Sequence, residues 1–167
     1  MRARGASDPA PRALLRRPRK QRLTLHLQVV SRAVRVPTPT QIRRWARAAL
    51  GKRGEVTVRI VGAAEARILN RRYRGRDSAT NVLSFPYSFA RGMVHGDIVL
   101  CAPVIAREAL AQGKTLEAHF AHLTVHGLLH LRGHDHARRR DAARMEALEK
   151  KLLAKLGYPD PYASTPG

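Results

Sequence analysis

The eleven residues from His126 to His136, HGLLHLRGHDH, constrain this chain more than any other stretch. On a helix, residues four apart lie on one face about 5–6 Å from each other. His126 and His130 can therefore reach one metal ion together. Gly133 takes positive φ at no steric cost, so the helix can end there and the chain can turn back. The turn can bring His136 round as a third ligand. Three neutral imidazoles with an open fourth position make a catalytic zinc arrangement, whereas structural zinc sites are closed by four protein ligands. The chain has one cysteine, Cys101, which excludes an intramolecular disulfide framework and a cysteine-based zinc finger.

Two histidines at i, i+4 are more often surface or core decoration than a metal site. Here the second and third histidines at +4 and +10 and the glycine at +7 match the zinc-binding frame HExxHxxGxxH. One departure decides the chemistry. Zinc proteases carry a glutamate general base directly after the first histidine, and this chain has Gly127 there. The protease base is missing while the metal frame remains. A metal in such a frame lowers the pKa of water to about 7 and stabilises a developing oxyanion, which suits phosphodiester chemistry. His119 and His122 continue the stripe backwards, and their simplest role is packing or support for the ligands. His134 points elsewhere on any turn that delivers His136. Asp135 either orients a ligand histidine or caps the following helix, and capping is the simpler role.

Charge points to the partner. The 167 residues hold 32 basic and 12 acidic side chains, a net +20, which favours polyanions. Residues 1–22 contribute +7, so the remainder is basic in its own right at +13. Residues 1–21 read as a disordered basic arm and 163–167 as a flexible tail, leaving one domain over 22–162. The arm lacks the apolar core of a secretory signal. No apolar run approaches the roughly 18 residues of a membrane span. A bacterial cytoplasmic location is expected.

Hydrophobic periodicity predicts strands at 22–30, 55–61, 80–86 (ended by Pro86) and 96–101. It predicts helices at 38–51, 63–73, 103–112, 115–131 and 137–157. Thr115 is an N-cap candidate. Asp97 reads as a turn residue, Asn81, Ser84 and Phe85 as turn and core residues, and Cys101 as a buried thiol. The fold class is α+β, an α/β layer domain with a small mixed four-stranded sheet covered by helices and a metal cleft.

HGLLHLRGHDH resembles the signature HGxLHLxGxDH of the YbeY endoribonucleases, the bacterial rRNA maturation factors. LNRRYRGRDSATNVLSFP, from Leu69 to Pro86, is similar to the family's LNxxYRxxDxPTNVLSFP, with Ala79 in place of its proline. GDIVLC (96–101) and LGYPDPY (156–162) also fit. The resemblance covers about 22–162. It implies a single-strand-specific, metal-dependent endoribonuclease. Such an enzyme acts in maturation of the 16S rRNA 3′ end and in ribosome quality control, with single-stranded rRNA and the small ribosomal subunit as partners. It implies one Zn2+ held by His126, His130 and His136, and a functional arginine at Arg74. Spacing alone does not choose among Arg71, Arg72, Arg74 and Arg76, any of which could be a solvated helix-end arginine. A guanidinium near a metal could bind the scissile phosphate.

Two alternatives remain at this level. One is a non-enzymatic assembly factor in which the metal staples helix 115–131 to its turn. The other is a metal-dependent hydrolase of another substrate, against which Gly127 and the basic charge both weigh. Under the nuclease reading, His126→Ala is expected to lose metal and activity together, and Arg74→Ala to keep the metal and lose activity. A metal-free Arg74→Ala protein, by elemental analysis, would remove the arginine from this role.

Overall fold

The computed structural model describes residues 22–134 and 138–163. The basic arm at 1–21, Asp135, His136 and residues 164–167 of the tail lie outside the described residues. β1 (Leu23–Val29), α1 (Pro39–Leu50), β2 (Gly54–Val61) and α2 (Ala63–Arg74) come first. They are followed by β3 (Val82–Ala90), β4 (Met93–Cys101), α3 (Ala102–Ala111), α4 (Leu116–Leu131) and α5 (Arg139–Leu156). The sheet order is β1-β2-β4-β3. β1–β2 and β2–β4 are parallel, while β3 runs antiparallel to β4 and forms one edge. The α+β class with a mixed four-stranded sheet is therefore the one observed.

Local chemistry explains most boundaries. α1 starts at a complete capping box, in which the Thr38 hydroxyl accepts from Gln41 N and the Gln41 side chain accepts from Thr38 N, with Pro39 in the first turn. α4 starts where the Thr115 side chain accepts from Ala118 N. α5 begins at Arg139 with Arg138 at its N-cap, two residues later than the periodicity predicts.

β3 departs from expectation more. It does not end at Pro86 but runs to Ala90, closing a hairpin with β4. Cys101 N donates to Asn81 O, so the pairs 81/101, 83/99 and 85/97 exchange the ladder bonds. Pro86 pairs with Gly96 at a non-bonded position, so its missing N–H faces the outer edge and removes no ladder bond. A register shift follows between Pro86 and Ser88. Arg91 and Gly92, both at positive φ (54° and 71°), then make the two-residue turn. Asp97, expected in a turn, lies inside β4 and accepts a 2.5 Å hydrogen bond from Tyr87 Oη.

The main core lies on one sheet face, where Trp45 of α1, Ile60 of β2, Ile98 of β4, Phe120 and Leu128 of α4, and Leu153 of α5 are all buried. A smaller cluster on the other face joins Val61, Leu83, Val99 and Cys101 to Ala66 of α2 and Val104 of α3. α4 is the central helix, packed on β3, β4, α1, α3 and α5. From His119 to Leu131 every residue is buried except His122, His126 and His130, which form one half-exposed stripe.

The flank of the helix beside this stripe meets the sheet at Gly127. A Cβ there would lie 3.0 Å from Val82 Cγ2 and 3.3 Å from both Ile98 Cγ2 and Ser84 Oγ. The Ser84 hydroxyl donates to Gly127 O at 3.0 Å, bonding strand to helix at the point of closest approach. A glutamate at this position would point into the sheet instead of toward the histidines. Gly127→Glu is expected to cost about 2–4 kcal/mol by overpacking and by burying a carboxylate. That corresponds to a fall in Tm of roughly 5–15 °C in a chain of this size. A thermal melt at or above the wild-type Tm would contradict the packing argument.

Candidate metal centre

His126 and His130 stand one turn apart on the half-exposed stripe of α4, with ring centroids 4.7 Å apart. Their Nε2 atoms approach to 3.2 Å. Two nitrogens bound tetrahedrally to one zinc at 2.0–2.1 Å would lie about 3.3–3.4 Å apart. The pair thus has the spacing of two ligands to one ion.

Behind His126 lies Glu149 of α5, completely buried. Its Oε1 accepts a short hydrogen bond from His126 Nδ1. An ionised carboxylate only accepts, so the proton sits on Nδ1 and Nε2 carries the lone pair. Tyr162 Oη donates to the other oxygen, Oε2. His122 Nε2 lies 3.6 Å from Oε2 and 3.3 Å from Tyr162 Oη. Burial alone would raise the Glu149 carboxyl. The nearby His122 and the hydrogen bonds from His126 and Tyr162 outweigh it and hold the group at about 2, ionised in any ordinary buffer. The Tyr162 hydroxyl moves the opposite way, pushed up by burial and by the carboxylate it serves. His119, further back on α4, is buried against Glu108 at 2.8 Å, and burial lowers its pKa.

His122, His126 and Glu149 offer ligand atoms that all lie within 4.8 Å of one another and could themselves bind a metal. In that set His126 Nδ1 is already committed to Glu149, and the ion would sit beside a carboxylate closed off from solvent. The Nε2 pair instead opens onto a cleft, so the donor chemistry favours an ion at Nε2 with Glu149 as the orienting acceptor.

The cleft has a volume of about 430 Å³ and is lined by His126 and His130 from α4, Ser84 and Pro86 from the β3 edge, and Arg74 from the end of α2. Arg74 Nη2 donates to Ser84 O at 2.9 Å. Ser84, like Pro86, pairs at a non-bonded ladder position, so its carbonyl and its N–H both face outward from the sheet. The structure thus brings together three of the four residues expected from sequence, and His136 lies outside the described residues. At the end of α4, Gly133 takes φ +84° as the turn requires. Asn81 reaches the same cleft but is held by Glu108, to which its amide donates at 3.1 and 3.2 Å.

Glu149 and Tyr162 were not anticipated as part of the site. A signal for Glu149 exists: on α5 it falls between Met145 and Leu153 in the buried stripe, where a carboxylate has no reason to be without a partner.

Known proteins resemble this chain over most of its length. The family model described as Endoribonuclease YbeY matches residues 30–157. A protein named Endoribonuclease YbeY from Aromatoleum aromaticum is 61% identical over 129 residues, covering 77% of this chain and 83% of its own length. One of the same name from Nitrosomonas europaea is 53% identical over 143 residues, covering 86% and 87%.

Glu149→Gln keeps the volume but places an NH2 group where only acceptors serve. It is expected to weaken metal binding by about 10–100-fold, the usual effect of losing a partner behind a ligand histidine. Competition against a chromophoric chelator measures it, and unchanged affinity would leave Glu149 with packing alone.

Proposed function

The chain belongs to the YbeY endoribonuclease family, and on that premise we propose that it is a zinc-dependent endoribonuclease cutting single-stranded rRNA. Its role would lie in maturation of the 16S 3′ end and ribosome quality control, on the small subunit in the cytoplasm. The observation that carries the reading is the convergence of the His126–His130 pair and Arg74 on one cleft.

In this reading His126 and His130, with His136, would hold one ion. Bound there, zinc supplies a Lewis acid that polarises a phosphate oxygen and makes water more acidic. The chain's own groups do the rest. Glu149 fixes the tautomer and ring plane of His126. Arg74 has five N–H donors, and one is given to Ser84 O. Those that remain can grip the scissile phosphate and stabilise the charge it gains in the transition state. Ser84 N–H, facing outward on the edge strand, is a further donor along the same wall. Holding the guanidinium against the strand makes it a preorganised clamp, which loses less entropy on binding than a free arginine would. No helix among the described residues is long and apolar enough to cross a membrane.

The test is cleavage of an end-labelled single-stranded RNA carrying a 16S 3′ region, using wild-type protein, chelated and zinc-restored samples and His126→Ala. Cutting that requires both metal and His126 is expected. A 2′,3′-cyclic phosphate on the product would assign the attack to the RNA 2′-hydroxyl, and its absence would favour water. A holo protein that binds ribosomal subunits yet cuts neither free nor subunit-bound RNA would overturn the nuclease assignment in favour of an assembly factor.

A further inference from the structure

β3 has two faces, and the cleft uses only one. Ser84 faces α4 with its neighbour Ile98. Phe85, the next residue, faces the other way, since side chains alternate along a strand. There a second hollow of about 380 Å³ opens, lined by Tyr73 of α2, Phe85 and Tyr87 of β3, and Thr57, Arg59 and Asp97 of the sheet.

Two consecutive residues of α2 span both hollows. Arg74 bonds Ser84 O on the cleft side, while Tyr73 meets Phe85 edge to face, with centroids 5.2 Å apart and planes at 72°. The residues of the hollow thus neighbour those of the clamp, one position away on each element. Tyr73 is 51% exposed and Tyr87 69%. In a chain with few aromatics, two tyrosines in water over a phenylalanine are not accounted for by the core.

Charge sorts the possible occupants. Of the acids of the hollow, Glu65 pairs with Arg59 at 2.7 Å, while Asp97 accepts from the neutral Tyr87 hydroxyl and keeps its charge. Positive charge comes from exposed arginines at and just beyond the end of α2, Arg71, Arg72 and Arg76, with the Arg72 guanidinium 5.5 Å from the Tyr73 ring centre. Exposed aromatic rings interleaved with arginines are the surface on which unpaired bases stack while cations hold the backbone.

We propose that Tyr73 and Tyr87 form a stacking subsite for an unpaired nucleobase of the RNA strand whose phosphate lies in the cleft, the strand crossing the outer edge of β3 between the two hollows. The proposal rests on the cleft being an RNA site. It gives a physical source for single-strand preference, because a paired base keeps its faces inside the duplex and has none to offer the tyrosines. Purines, with the larger π-face, bind there more tightly than pyrimidines.

The probe is a short oligoadenylate carrying 2-aminopurine, mixed with the zinc-loaded full chain, checked on a gel to be intact during the reading, and scored separately for cleavage. Wild type is expected to quench the aminopurine. Tyr73→Ala should bind roughly 5- to 100-fold more weakly, the usual effect of losing one aromatic–base stack, and quench less. Tyr73→Phe should keep binding and quenching within about twofold, and Tyr87→Ala should repeat the loss independently. Alanine variants that melt like wild type but bind and quench unchanged would overturn the subsite, whether or not a protein segment proves to occupy it. Wild type that cuts RNA without quenching would also overturn the subsite while leaving the nuclease reading intact. Quenching that depends on Tyr73, without cleavage by any sample, would overturn the nuclease reading and leave the subsite standing. Absence of binding by wild type would overturn both.

Discussion

The approach of α4 to the sheet at Gly127 sets the geometry of everything around the cleft. Helix and strand meet with only a hydrogen where a side chain would be, and the Ser84 hydroxyl bonds across the contact. Because Gly127 is turned to the sheet, the residue before it and the one three further on are turned along the helix flank, where His126 and His130 open onto the cleft. The strand that Gly127 touches is the one Arg74 grips. One close contact therefore fixes the separation between the histidines and the arginine. It also explains why the glutamate of the related protease frame has no place here: that position belongs to the helix–sheet interface, not to the reacting space.

A second constraint works from behind. A buried carboxylate without partners would cost several kcal/mol, and Glu149 avoids this by accepting from His126 and Tyr162, with His122 close by. Those donors come from α4 and from the segment after α5. The charge thus ties the last residues of the domain to the middle of its central helix. Lys114 strengthens the same junction by donating to Pro161 O at 2.6 Å. The C-terminal LGYPDPY segment is in this sense part of the candidate metal centre, although it offers no residue to the cleft.

Much of this was legible in the sequence because it rests on local rules. Capping by Thr115, strand alternation in β1 and β2, and the histidine spacing on α4 depend on neighbours within a few residues. The failures are all non-local. Pro86 reads as a strand end until pairing shows that its nitrogen faces outward on an edge. Asp97 reads as a turn residue until the hairpin lengthens and brings Tyr87 to it. Glu149 reads as one more charge on a lysine-rich helix until α4 is packed against α5. The resemblance to the YbeY family pointed to Arg74 among four arginines, and the structure adds a reason: of the four, Arg74 is the one bonded to the cleft strand.

The exposed edge of β3 has one more consequence. An unpaired outer strand is a template on which a second copy of a chain can add its own strand, and aggregation often begins that way. Here the outward ladder positions are poor templates. At Ser84 the carbonyl is occupied by a guanidinium, at Pro86 there is no N–H to offer, and beyond it a bulge breaks the register. The features that line this wall of the cleft thus make it a poor template for another polypeptide. A strand edge is in this way made unfavourable for self-association without being covered.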